Sequence, residues 1–493
     1  MKKQTNTTLV TIAIFVATFM TAIEGTIVST AMPTIVGSLE GLSLMNWVVS
    51  IYLLTNAMMT PVYGKLADRV GRKPIFIFGV ILFIIGSSLC GVAQNMEQLI
   101  IFRAIQGIGA GAIMPIAVTI IADIYPFEKR AKVLGLNGSV WGIAGIIGPL
   151  LGGMIIQRLS WHWIFFINVP VGIVTMIIMY LFLVEKKEVK KEPIDYLGSL
   201  TLMIALLSLM FGFQKLGESI ALTPVLVGSF MVAIISFSLF VKIERKAVDP
   251  IIPLNLFHNQ EFVKFNIVAS LVSGFLISVM TYIPMWLQGV HGFDALKSGF
   301  AMTPMSITWV LGSFISSQLI MKYSAKKILT LSVFIVGIGS MCLALSPIST
   351  PFFIFLLIAA LLGIGFGITI TTTTVTVQNI VPQEQLGVAT SFNTLARTLG
   401  QTIMVSVYGI VLNVTIANSL VTDKNKGVNS DMMDKLLNPL TAKELSPEKI
   451  PILKNILYSG IHGIFLVAGG VVIFALTIIF IKTKNKQNNY SEN

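Results

Sequence analysis

The chain has 493 residues, 55% of them apolar and only 11% charged, with 34 Lys and Arg against 22 Asp and Glu for a formal charge of +12. Soluble domains carry roughly 25% charged residues, so a chain this long with so little polar surface is not a soluble enzyme or effector, and its solvent is mostly lipid. The basic residues lie in short connections between apolar runs rather than in one patch, which excludes a nucleic-acid partner and leaves membrane lipid as the surroundings.

A span needs about 20 apolar residues to cross roughly 30 Å of hydrocarbon, and about fourteen runs of that kind follow one another. They lie near 9–35, 46–64, 74–93, 97–122, 131–157, 162–184, 195–214, 222–242, 261–288, 297–320, 327–346, 351–379, 387–417 and 459–481. The runs are continuous rather than alternating, which predicts helices and an all-α membrane protein. The first run follows Met1-Lys2-Lys3, is too long for a signal-peptide core and contains Glu24, so it reads as an uncleaved span. Charge placement tests the count. With a cytoplasmic N-terminus the inner connections hold Lys65, Arg69, Arg72 and Lys73, then Lys129, Arg130 and Lys132, then Lys186, Lys187, Lys190 and Lys191. The short outer connections hold only Arg158, Lys215 and Lys297. The positive-inside rule therefore puts both termini in the cytoplasm of a bacterial cell membrane and a long outer loop near 418–458.

The two ends of the chain repeat. Gly107-Ile108-Gly109-Ala110-Gly111 recurs as Gly363-Ile364-Gly365-Phe366-Gly367, and Asp123-Ile124-Tyr125-Pro126 recurs at the same offset as Asn379-Ile380-Val381-Pro382. Such duplication predicts an N-terminal six-helix bundle (1–184), two inserted helices with linkers (185–260) and a C-terminal six-helix bundle (261–493). Repeat pairs of this kind place a substrate site between the halves at mid-membrane.

Ionisable groups inside hydrocarbon are functional suspects. Glu24 and Arg103 lie at similar depths in the first and fourth spans, close enough to face one another, and a third, Arg397, lies near the inner end of its span, where it either lines the interior or snorkels to the interface. Burial and a neighbouring guanidinium pull a carboxyl's proton affinity in opposite directions, so Glu24 and Arg103 are the candidates for proton coupling, against the alternative of a static pair. Gln106 and Asp123 join Arg397 as candidates for a cavity or interface. Gly138, Gly142, Gly145, Gly148, Gly152 and Gly153 form a ridge on the fifth span beside Pro149, which suits close helix contact and a bend. The threonine run 369–374 either lines a wet cavity or bonds back to its own helix. Cys90 and Cys342 read as small buried hydrophobes, and no Cys, His or carboxylate cluster has metal-ligand spacing.

On these residues the chain resembles the major facilitator superfamily, and within it the fourteen-span drug–proton antiporters of the EmrB/QacA type, over nearly its whole length. The segment from Gly64 through Asp68, Arg69, Gly71 and Arg72 to Lys73 resembles the family's loop between spans two and three, which implies a cytoplasmic charge latch. The segment Arg103 to Gly109, with Gln106 inside it, resembles the fourth-span motif associated with proton coupling. Gly145, Gly148, Pro149, Gly152 and Gly153 resemble the fifth-span motif of exporters, and Trp161 to Pro170 resembles the start of span six. The first span departs from the pattern, with Glu24 where the family usually has Asp and Ser29 where it has Asn. The tenth span lacks the acid that some dication exporters carry there. The resemblance implies a major facilitator fold and proton-coupled export of small lipophilic, monovalent cationic or neutral compounds. It implies a monomer with no cofactor beyond the proton motive force and no catalytic residue. A dedicated exporter of one endogenous lipid, peptide or metabolite is the alternative.

Overall fold

The computed structural model describes residues 5–185, 195–218, 223–247, 250, 254–381, 386–422, 427–437 and 441–481. The helices are α1 (Thr7–Leu39), α2 (Met45–Val70), α3 (Arg72–Cys90), α4 (Met96–Ile124), α5 (Phe127–Arg158), α6 (Trp163–Phe166), α7 (Asn168–Phe182), α8 (Tyr196–Glu218) and α9 (Pro224–Glu244). They continue as α10 (Gln260–Met285), α11 (Ala295–Phe300), α12 (Thr303–Ile320), α13 (Ala325–Leu345), α14 (Phe352–Asn379), α15 (Leu386–Thr422), α16 (Ser430–Leu437) and α17 (Ile450–Phe480). No strand occurs among the described residues.

Proline sets the interruptions. Pro170 has no N–H to offer Phe166, and the sixth predicted span is split into α6 and α7 around Ile167. Pro304 likewise separates α11 from α12, and Pro284 precedes a wide helical turn over Trp286–Val290 that extends α10. Among the described residues twelve segments are long and apolar enough to cross a membrane, so this is a multi-pass membrane protein. The other two predicted runs coincide with α8, whose described apolar stretch is Leu197–Phe213, and with α12, which Ser306, Thr308, Ser313, Ser316 and Ser317 make less apolar. Among the described residues the apolar lengths thus account for twelve of the fourteen predicted spans.

Two expectations are corrected. The outer loop near 418–458 is shorter, because α15 runs on to Thr422, α17 starts at Ile450 with Pro451 in its first turn, and α16 lies between them. Backbone hydrogen bonding does not stop where hydropathy falls, and Pro suits a first turn. Cys342 is exposed on α13, whereas Cys90 is buried. An apolar run facing lipid need not be covered by protein.

Helices α1 to α5 and α7 pack among themselves, as do α10, α12 to α15 and α17, with α8 and α9 paired and α8 lying against α15 and α2. The start of α1 meets the end of α7 (Asn6 N to Phe182 O, 3.2 Å) and the start of α10 meets the end of α17 (Lys264 Nζ to Ile481 O, 3.0 Å), which defines a terminal end. Hydrogen bonds between the two groups lie toward the far end. Tyr282 donates to Asn46 (2.5 Å), Gln288 to Thr30 O (3.0 Å), Asn413 to Ser43 O (3.2 Å), and Leu42 N to Asp434 (3.1 Å).

Candidate functional site

Six helices of the N-terminal group build one polar network. Glu24 on α1 and Arg103 on α4 form a direct ion pair through Oε1 and Nη1, with the two residues 0% and 2% exposed. The other carboxylate oxygen of Glu24 accepts from Asn168 Nδ2 at 2.9 Å. Arg103 also donates to Gln106 Oε1 (2.8 Å) and to Val48 O (3.2 Å), and its guanidinium lies 4.1 Å from the centre of the Tyr52 ring. Ser87 Oγ on α3 accepts from Gln106 Nε2 (3.2 Å) and Asn168 Nδ2 (3.0 Å) and donates to Phe165 O (2.8 Å). Tyr52 OH is buried without a partner.

The fold explains why these groups meet. Gly107 packs against Tyr52 O and Thr55 of α2, and Gly109 against Phe83 of α3, so α4 approaches both neighbours at backbone distance. Gly86 abuts Gln106. The break at Ile167 starts α7 with Asn168 buried beside Glu24. Glu24, Arg103 and Gln106 are thus brought together as candidates, and Gln106 belongs to the network rather than to a separate cavity. Asn168 and Ser87 were not singled out, since uncharged residues in apolar runs give little signal. The one available clue was an Asn inside the segment Phe165-Phe166-Ile167-Asn168.

At the terminal end Arg72 forms an ion pair with Asp123, so Asp123 lies beside the loop between α2 and α3 and not in an interior cavity. Gly71 has φ +116°, a conformation open to glycine, and it lets the chain turn so that Glu185 receives Arg72 N and Lys73 N (3.3 Å for Lys73). Lys73 Nζ donates to Tyr180 O (2.7 Å) and Leu183 O (2.6 Å). Glu185 was not foreseen, because it lies after the sixth predicted span, far from the loop in sequence. Gly64 has open space around it. Gly138 lies within α5, and the side chains of Asp68 and Arg69 and the surroundings of Gly138 lie outside what is described.

The α5 glycines face two partners. Gly148 and Gly152 abut Thr26 and Ile27 of α1, while Gly142 faces Val310 and Gly145 faces Ser306 of α12. Gly153 lies on Leu296, and Gly299 on the carbonyl of Pro149. The ridge is therefore divided between α1 of its own half and α11 and α12 of the other. The threonine run bonds rather than lines a cavity, since Thr373 and Thr374 bond back to Thr369 O and Ile370 O, and Thr372 meets Ser316 (2.8 Å). Arg397 joins none of these networks. Among the described residues no three His, Cys, Asp or Glu side chains gather as a metal site.

The chain is similar to known proteins in sequence and fold. The Major Facilitator Superfamily pattern matches residues 14–405. The chain is 34% identical over 518 residues to the multidrug transporter protein MdtP of Bacillus subtilis (strain 168), covering 98% of this chain and 95% of that one. It is 33% identical over 401 residues to the multidrug efflux pump SdrM of Staphylococcus aureus (strain N315), covering 81% and 88%. A solved bacterial homolog of the human lysosomal transporter Spinster, in an inward-facing and occupied conformation, superposes with a TM-score of 0.70 at 16% identity over 96% of this chain and 95% of that one.

Proposed function

The chain belongs to the Major Facilitator Superfamily, and from that premise we propose that it exports small lipophilic compounds, neutral or monovalent cationic, by exchange for protons across the plasma membrane. It is a transporter and not an enzyme, and its similarity to named multidrug transporters and efflux pumps supports drug-like cargo. The observation that carries the proton part is Glu24, a fully buried carboxylate whose two oxygens are each held by a different helix, α4 through Arg103 and α7 through Asn168.

The cycle follows from that arrangement. An ionised Glu24 holds α1, α4 and α7 together through charge-assisted bonds, which are the strong ones in a dry interior. A proton reaching it from outside cancels the charge, weakens both bonds and leaves Arg103 with Gln106, Val48 O and the Tyr52 ring. Helix α1 is then free to shift against α5 along Gly148 and Gly152, on the same helix whose Gly153 reaches α11 and whose Gly142 and Gly145 reach α12. Return of the ionised form discharges the proton inside. Each proton moving through 100 mV supplies about 2.3 kcal/mol, enough to hold roughly a fiftyfold gradient of a neutral solute.

Everted vesicles carrying the full chain, given an imposed pH gradient and a panel of unrelated lipophilic dyes, test the reading. Uptake of several dyes that collapses with a protonophore is expected. Uptake indifferent to the gradient contradicts coupling, and uptake of a single compound contradicts breadth.

A further inference from the structure

Arg397 is the half-buried cation that the coupling network leaves unused. Among the described residues it makes no hydrogen bond or ion pair, and its Nε is buried without a partner. It stands five residues, about 8 Å, inside the apolar stretch Phe392–Val421. Arg103, by contrast, is held by Glu24, Gln106 and Val48 O.

Two observations fix its surroundings. Asn393, one turn before it, bonds Asn266 of α10 (3.0 Å), and Gly400, one turn after it, packs on Ser270 of α10. Arg397 shares that side of α15, not the opposite side where Leu399 and Ile403 meet α8. Thr390, Thr394, Thr398 and Gln401 also fall within about 100° of Arg397 around the helix, and each is partly or fully exposed. A polar, accessible arc on a membrane helix faces a wet space between elements rather than lipid. The cross-half hydrogen bonds lie at the far end, so the space beside this arc is not closed by them.

A guanidinium without a counter-ion at this depth is retained where a ligand supplies the anion, and its planar fork matches a carboxylate or phosphate with two parallel bonds. Glu24 does not serve, being engaged by Arg103 and Asn168. We infer that Arg397, flanked by this polar arc of α15, is an anion-recognition site that takes the carboxylate or phosphate group of a lipophilic substrate. The inference rests on the export reading and narrows it, since a compound neutral overall can carry such a group beside an amine.

The test uses the purified full-length protein in phosphatidylcholine nanodiscs and one fluorescent lipophilic scaffold, as the free carboxylate and as its methyl ester. Binding of both is read by anisotropy for the wild type, Arg397→Gln and Arg397→Lys, each checked for monodisperse elution. The wild type is expected to favour the carboxylate, Arg397→Gln to lower the carboxylate-to-ester ratio by about tenfold, and Arg397→Lys to restore most of it. An unchanged ratio in Arg397→Gln, or equal loss of both probes in both variants, overturns the site. Adding phosphatidylglycerol separates the sources of the anion. Competition in the wild type but not in Arg397→Gln gives the site to a lipid headgroup and overturns the substrate assignment, whereas no competition supports it. No gradient is present, so failure of proton-driven efflux in vesicles, which would sink the export reading, is scored separately.

Discussion

The two halves make the same packing move and fill it with different chemistry. Gly107, Gly109 and Gly111 of α4 abut α2, α3 and α2 in turn, and Gly363, Gly365 and Gly367 of α14 abut α12, α13 and α12 in the same order. The offset is 256 residues (363 − 107). At that offset Arg103 corresponds to Ala359, Gln106 to Leu362 and Ser87 to Leu343, all fully buried. Glycine spacing therefore specifies how three helices meet, while the charged network is an addition confined to one half. A repeat in sequence predicts a repeat of scaffold, and the chemistry must be located residue by residue.

The largest effect should come from exchanging the chemistry. Glu24→Gln is expected to cut pH-driven efflux by at least about 100-fold with normal membrane insertion, while Met280→Gln, its counterpart at the same offset, changes efflux by roughly threefold or less. Comparable losses in the two variants would erase the asymmetry. The scaffold should respond alike in both halves. Gly107→Val and Gly363→Val each place a branched side chain against a neighbouring backbone carbonyl and should each cost about 1–3 kcal/mol, read as matched drops in thermal unfolding temperature. A large drop in only one half would break the equivalence.

The smallest effect concerns the far end, where α16 of one half touches the α1–α2 connection of the other. Burial, reinforced by Glu40 and Asp431, pushes the Asp434 carboxyl from its ordinary 3.8 up to about 6, against the pull of the Leu42 N–H. The docked carboxyl binds its proton more tightly than a free one. Docking is therefore most favoured below the free value and weakens as pH rises through about 6. Hydrogen exchange of α16, corrected for intrinsic rates, should show protection falling from pH 5 to 7 in the wild type and staying flat in Asp434→Asn. A flat wild-type profile would remove this pH sensitivity.

Much of the architecture was legible because lipid leaves few options. Long apolar runs must be helices, and α1, α4 and α14 lie close to where hydropathy put them. The breaks at Ile167 and between α11 and α12 were not anticipated, since a run of hydropathy does not register one missing N–H at Pro170 or Pro304. Glu24 and Arg103 were readable because charge in hydrocarbon is rare. Asn168 and Ser87 escaped because a neutral amide or hydroxyl reveals its role only once a partner comes within 3 Å. Glu185 escaped because its contact with α3 joins residues 112 and 113 positions apart. The exposed side of Cys342 was invisible for a different reason: hydropathy reports lipid compatibility and not which neighbour covers a residue.

The central claim is that Glu24 gives up and regains a proton as the transporter turns over. The most direct measurement is proton release when a transported dye is added to the purified protein in weakly buffered solution with a pH indicator. The wild type should release protons in proportion to bound dye, and Glu24→Gln should bind the dye and release none. Equal release from the two proteins, or binding by the wild type with no release at any pH from 5 to 9, would contradict it.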